Sequence, residues 1–190
     1  IMNEGRTVNK NRMHRALFSV LLSAIFLPVS GYASELGFKG NLLDRPCQID
    51  PTSAAQDVTF MDTATRLYHV WPGKSYEEKF QIKLVNCHAT TMGKVVELTF
   101  KGAEEPKLPG YLQVSGVNNG KLGIGIIDTD GSSLLKLNQV HNGGQGNKVE
   151  KDSVILDFKA FVQATSEAIA DKAVQPGGYS AVATFELLYK

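Results

Sequence analysis

Asp128-Thr129-Asp130-Gly131 places two carboxylates and a glycine at the spacing found inside a calcium loop. Such a loop needs its first ligand two residues before Asp128 and a bidentate glutamate at its twelfth position. Those positions hold Ile126 and Leu137. The tetrapeptide therefore reads as a hairpin turn, from the turn preferences of Asp and Gly. Beyond the N-terminal segment the histidines are His69, His88 and His141. None stands in a nucleophile elbow or a His-Glu-x-x-His helix, and each reads as a surface or loop residue. Glu77-Glu78 and Glu104-Glu105 are adjacent pairs, which point apart in a strand and face water instead of converging as acid and base. Gly123-Ile124-Gly125 lacks the third glycine and the following helix of a dinucleotide fingerprint, so its small residues relieve crowding in a strand or mark a bulge. Trp71 with Tyr68 is an aromatic pair of a kind that stacks on sugars, but beside Pro72 it reads as a loop packed on the domain. No residue set argues for an enzyme, a cofactor or a small-molecule substrate.

The elements that carry these residues fall into two materials. Lys10, Arg12 and Arg15 form a cationic head, residues 16–27 form an apolar run closed by Pro28, and Gly31-Tyr32-Ala33 supplies small residues where a signal peptidase reads. Residues 1–33 are expected to be a cleaved secretory signal; the apolar run is short for a membrane span. The whole chain has 20 basic and 19 acidic residues, and the leader takes four and one of these, which leaves the remainder at a formal −2. No basic field points to nucleic acid. Cys47 and Cys87 are the two cysteines. In an exported chain two cysteines pair, and a loop of this length stabilises the fold by about 4 kcal/mol in the chain-entropy model. A metal site is the weaker reading, because His88 points away from Cys87 on a strand and no second ligand pair follows.

Downstream of the leader the chain reads as strands. Residues 178–190 end it in an alternating run: Tyr179, Ala181, Ala183, Phe185, Leu187 and Tyr189 share one face. The second neighbour of this strand is expected from elsewhere in the chain or from another molecule. At the other end, Leu36, Phe38, Gly40 and Leu42 share a face in a segment that is either the domain's own first strand or a mobile arm. Between them, short strands are expected at residues 58–61, 76–86, 95–100, 112–114, 122–127, 133–135 and 154–164, a flexible loop at 142–147, and a helical turn at 166–172. Phe80, Ile82 and Leu84 point inward, Lys79, Gln81 and Lys83 outward. About six main strands with little helical periodicity indicate an all-β sandwich one strand short of the seven of an immunoglobulin-like domain. Such a sandwich exposes an apolar groove and a row of unpaired backbone groups, to be filled by a strand from elsewhere.

Four stretches carry a resemblance: Gly40-Asn41-Leu42-Leu43-Asp44-Arg45-Pro46-Cys47, Leu84-Val85-Asn86-Cys87-His88-Ala89-Thr90, residues 123–134, and Ala183-Thr184-Phe185-Glu186-Leu187. Together with Gly177, fourteenth from the end, and the penultimate Tyr189, they resemble the chaperone–usher pilins, most of all the minor adaptor subunits of a tip fibrillum. The resemblance covers the whole chain after the leader. It implies an incomplete immunoglobulin-like sandwich over residues 46–190 lacking its C-terminal, seventh strand, and a donor-strand extension over residues 34–45. A periplasmic chaperone would lend its strand to the groove beside Gly177, Tyr179, Ala181, Ala183, Phe185, Leu187 and Tyr189, with its basic residues anchoring the carboxylate of Lys190. At the outer-membrane usher the extension of the next subunit would replace it, with Leu36, Phe38 and Leu42 in successive pockets and Gly40 where the backbones approach. The implied place is the fimbrium, reached through the periplasm, with neighbouring pilin subunits as partners. A tip adhesin with a receptor site and an assembly terminator are the alternatives. The first would need an additional lectin domain, and only about a dozen residues lie between the leader and Cys47.

Overall fold

The computed structural model describes residues 46–190. The expected signal and the donor-strand residues Leu36, Phe38, Gly40 and Leu42 lie outside the described residues. The described strands are β1 (Gln48–Ile49), β2 (Glu78–Val85), β3 (Val95–Gly102), β4 (Leu112–Gln113), β5 (Leu122–Ile127), β6 (Leu134–Leu135), β7 (Asn147–Lys148), β8 (Val154–Ala164) and β9 (Ala183–Tyr189). Two short helices, α1 (Pro51–Ala54) and α2 (Ser166–Ala170), and two 3-10 turns complete them. One sheet runs β1-β2-β8-β5-β4 with β6 also on β5; the other runs β7-β3-β9. Every pairing between these strands is antiparallel.

Alternation builds the core. Phe80, Ile82 and Leu84 of β2 lie opposite Phe158, Leu156 and Val154 of β8. Ile82, Leu84, Leu156 and Phe158 are buried, while Lys79 and Gln81 stay in water. Phe158 stacks on Phe80 at 5.6 Å and meets Phe100 of β3 edge-on at 5.1 Å, so three rings join the two sheets. β5 is buried on both faces. A side chain at Gly125 would lie 2.5 Å from the Phe161 ring and 2.7 Å from Tyr111, so the glycine does relieve crowding. Asp128–Gly131 is the hairpin turn between β5 and β6, closed by Gly131 N–H to Asp128 C=O at 2.9 Å. Cys47 and Cys87 form a disulfide that ties β1 to the end of β2.

Several expectations are corrected. Residues 58–61 keep a two-residue burial rhythm but form no ladder, because no described strand lies beside them. The last strand pairs from Ala183, not from residue 178; ahead of it the Ser180 carbonyl accepts from Ser115 N–H at 2.8 Å. Asn147 is in β7, and the loop before it is strapped down: buried Asp128 accepts from the N–H groups of Asn142 (2.8 Å) and Gly143 (3.0 Å). Glu105 does not face water. It is buried, with Oε1 accepting from Lys107 N–H, because the 103–111 loop folds it inward. Trp71 is not packed on the domain; it is exposed, whereas Tyr68 is buried.

His141 is likewise no surface residue; its side chain is completely buried. Leu98 N–H donates to Nδ1 at 2.9 Å, which leaves Nε2–H to donate to Asn147 Oδ1 at 3.0 Å. That tautomer is neutral, and burial pushes the imidazole below its ordinary pKa of 6.5. Above about pH 6.5 the neutral ring costs nothing in either state. Below it the unfolded chain takes up a proton that the folded chain resists, so stability falls with pH until the folded pKa is reached. Denaturant titrations between pH 7.5 and 5 should show this loss, at most about 1.4 kcal/mol per pH unit. His141→Leu should be less stable at pH 7.5 and should have a flatter profile.

Candidate functional site

The register of β9 leaves one of its edges open. Val95 and Lys190 exchange both backbone bonds at 2.9 Å, and Val96 stands opposite Tyr189. Bonded and non-bonded pairs alternate along an antiparallel ladder. Hence Lys190, Leu188, Glu186 and Thr184 bond to β3, while the N–H and C=O groups of Ala183, Phe185, Leu187 and Tyr189 point the other way. No described strand lies on that side. The same alternation sends the Phe185, Leu187 and Tyr189 side chains toward the core, where Phe185 meets Phe100 at 6.4 Å. Inward side chains and free backbone groups therefore belong to the same residues.

Beside this edge lies a cleft of about 680 Å³. One wall is Tyr179, Ser180, Ala181, Ala183 and Phe185; the other is the unladdered stretch with Val58 and Phe60. Its floor is core: Phe80, Ile82, Phe100, Leu112, Ile124 and Ala160. Apolar side chains dominate all three sides, so a ligand that fills the cleft must be largely apolar where it faces down. Tyr179 bridges the walls at one end. Its ring lies 6.2 Å from Phe60, and its hydroxyl lies near that of the buried Tyr68. Burial, with the Tyr68 hydroxyl beside it, pushes the Tyr179 phenol up to about 12, so it stays a neutral donor.

The remaining singled-out residues take these places. Leu187 and Tyr189 pack on the core beyond the lining of the cleft, and the buried Tyr189 hydroxyl has no hydrogen-bond partner among the described residues. Gly177 is exposed with φ +151°, a backbone that favours glycine, and an added Cβ would sit 2.8 Å from Val117. Lys190 pairs its ammonium with Glu97 at 2.9 Å on the outer face. Cys47 and Cys87 lie at the opposite end from Tyr179, where β9 finishes. Sequence reasoning missed the facing wall and the floor; the alternation of Val58 and Phe60 was its only signal. Among the described residues no cluster of His, Cys, Asp and Glu is placed to hold a metal ion. A second concavity of about 650 Å³, on the outer face of the larger sheet, is a solvated surface in which Gln81 donates to Asp157 and Lys159 to Glu77.

An open apolar cleft of this size should bind a hydrophobic reporter dye such as anilinonaphthalene sulfonate while the fold is intact. Ala181→Glu places a charge on the wall and should cut the fluorescence enhancement several-fold with the circular dichroism unchanged. Equal enhancement in the variant would mean that the dye sits elsewhere.

Comparison with known proteins agrees with this geometry. The family model described as "Fimbrial protein" matches residues 36–190. The chain is 51% identical over 178 residues to "Fimbrial adapter PapK" of Escherichia coli, covering 94% of this chain and all of that one. It is equally similar to "Protein PrsK" of Escherichia coli, over the same span. Among solved structures, the P pilus rod subunit PapA superposes with a TM-score of 0.64 at 27% identity, covering 77% of this chain and all of that one. By name, one of these relatives is a fimbrial adapter and another a pilus rod subunit. The chain belongs to the fimbrial protein family.

Proposed function

We propose that this protein is a non-catalytic fimbrial subunit, an adaptor of the pilus tip, assembled by gaining and giving β-strands. The observation that carries this reading is the open edge of β9 beside an apolar cleft. A strand laid there would pair with the outward backbone groups of Ala183, Phe185, Leu187 and Tyr189 and send alternate side chains onto the floor between Phe80, Phe100 and Ile124. Each large apolar side chain so buried contributes roughly 1.5–3 kcal/mol, and each backbone hydrogen bond about 1 kcal/mol more. A periplasmic chaperone would supply that strand first; at an outer-membrane usher the extension of a neighbouring subunit would take its place. The matching donor in this chain is residues 34–45, with Leu36, Phe38 and Leu42 as its apolar side chains and Gly40 as the point of close approach. The adaptor role follows the name of a 51%-identical relative, the fimbrial adapter PapK.

The subunit would reach the cell surface through the periplasm, which suits the leader and the disulfide. No helix among the described residues is long and apolar enough to cross a membrane. Deleting residues 34–44 should leave chaperone binding intact and abolish insertion into the preceding subunit, measured by mass spectrometry of complexes formed on co-expression. Polymer that still contains the shortened chain as a donor would sink the reading.

A further inference from the structure

The two ends of the cleft are differently furnished. At the Tyr189 end the chain enters the fold: Pro46 C=O accepts from His88 N–H at 2.7 Å, Cys47 is bonded to Cys87, and Val95 pairs with Lys190. At the Tyr179 end stands the loop that leads into β2. β2 begins here opposite Ala160 of β8 and finishes beside β1 at the disulfide, so its leading loop and the disulfide stand at opposite ends.

This loop is fixed at several points. Gly73 C=O accepts from Ala164 N–H, and Ser75 N–H donates to Val162 C=O, each at 2.8 Å. Ser75 Oγ accepts from Val162 N–H at 2.8 Å, and the Gln163 amide donates to Pro72 C=O at 2.6 Å. So firm a scaffold nonetheless holds apolar side chains in water. Trp71 is 86% exposed, Tyr76 71% and Val70 59%. Core packing explains none of the three. Exposed aromatics on a fixed loop at the Tyr179 end of the fold have the composition and low backbone-ordering cost of a protein-docking surface.

We propose that Trp71, with Val70 and Tyr76, docks the folded body of the subunit whose extension fills the cleft. This rests on the strand-acceptor reading above. Direction supplies the partner. Every strand pairing in the fold is antiparallel. A donor running antiparallel to β9 leaves the cleft where β9 begins, at Tyr179, with its body beside the Trp71 loop. A parallel donor would put its body at the Tyr189 end, where Pro46, the first described residue, stands and where the proposed extension must join the fold. In a fibre whose members both give and receive, that end is taken. The donor's body is thus the surface Trp71 meets.

Trp71 is the chain's single tryptophan, so its emission reports on this surface alone. The full exported chain is offered two donors: a synthetic peptide of residues 34–45, and a second full copy carrying Trp71→Phe. Both should enter the cleft. Only the full copy should shift Trp71 emission to shorter wavelength, and it should bind at least about tenfold more tightly than the peptide, the effect of one good anchor. Trp71→Ala in the acceptor should remove that tenfold and leave peptide affinity unchanged. A full donor that binds no more tightly than the peptide, or that leaves Trp71 emission unmoved, overturns the assignment. If the peptide itself fails to enter, the acceptor reading falls and takes this surface with it; the bodiless arm tells the two failures apart.

Discussion

Backbone hydrogen bonding on the open edge of β9 is the constraint to which the rest of the molecule answers. Four residues, Ala183, Phe185, Leu187 and Tyr189, hold out eight polar groups that β3 cannot reach. Water can satisfy them, but water is a poor neighbour for the apolar floor directly beneath. A strand satisfies both demands at once. Its backbone meets the edge, and its alternate side chains cover Phe80, Phe100 and Ile124. That coupling of polar and apolar need suits the cleft to a strand better than to a small molecule.

The larger sheet is what lets the smaller one stay unfinished. β8 is eleven residues long and pairs along most of its length with β2 and β5. The Phe80–Phe158–Phe100 cluster then holds β3 to it, and β3 holds β9. The walls of the cleft are set by the Phe60–Tyr179 ring contact and by the Ser115–Ser180 bond, not by a ladder. Such fastenings keep a gap open at a set width without closing it.

Much of this was legible in the sequence. The alternation of Phe80, Ile82 and Leu84 gave β2 its inward face, and the run from Val154 to Ala164 gave β8 whole. The parity of Phe185, Leu187 and Tyr189 was readable too, but not its direction; the contact of Phe185 with Phe100 settles that. Other features were not legible because they depend on distant partners. Val58 and Phe60 alternate like a strand, yet a ladder needs a neighbour, and no described strand stands there. His141 and Glu105 lie in loops that fold back on the sheets, and local polarity gives no sign of burial decided by residues far away in the chain.

The disulfide acquires a mechanical meaning from its position. β1 holds β2 through only two residue pairs. In a fibre under tension, load would enter each subunit at Pro46 and pass out through the strand in its cleft. Pulled from its end, so short a strand peels one bond at a time. The Cys47–Cys87 bond hands the load instead to the end of β2, and through it to the full length of β8. A strand inserted as proposed would meanwhile be loaded along its axis, so its bonds to β9 would resist together in shear.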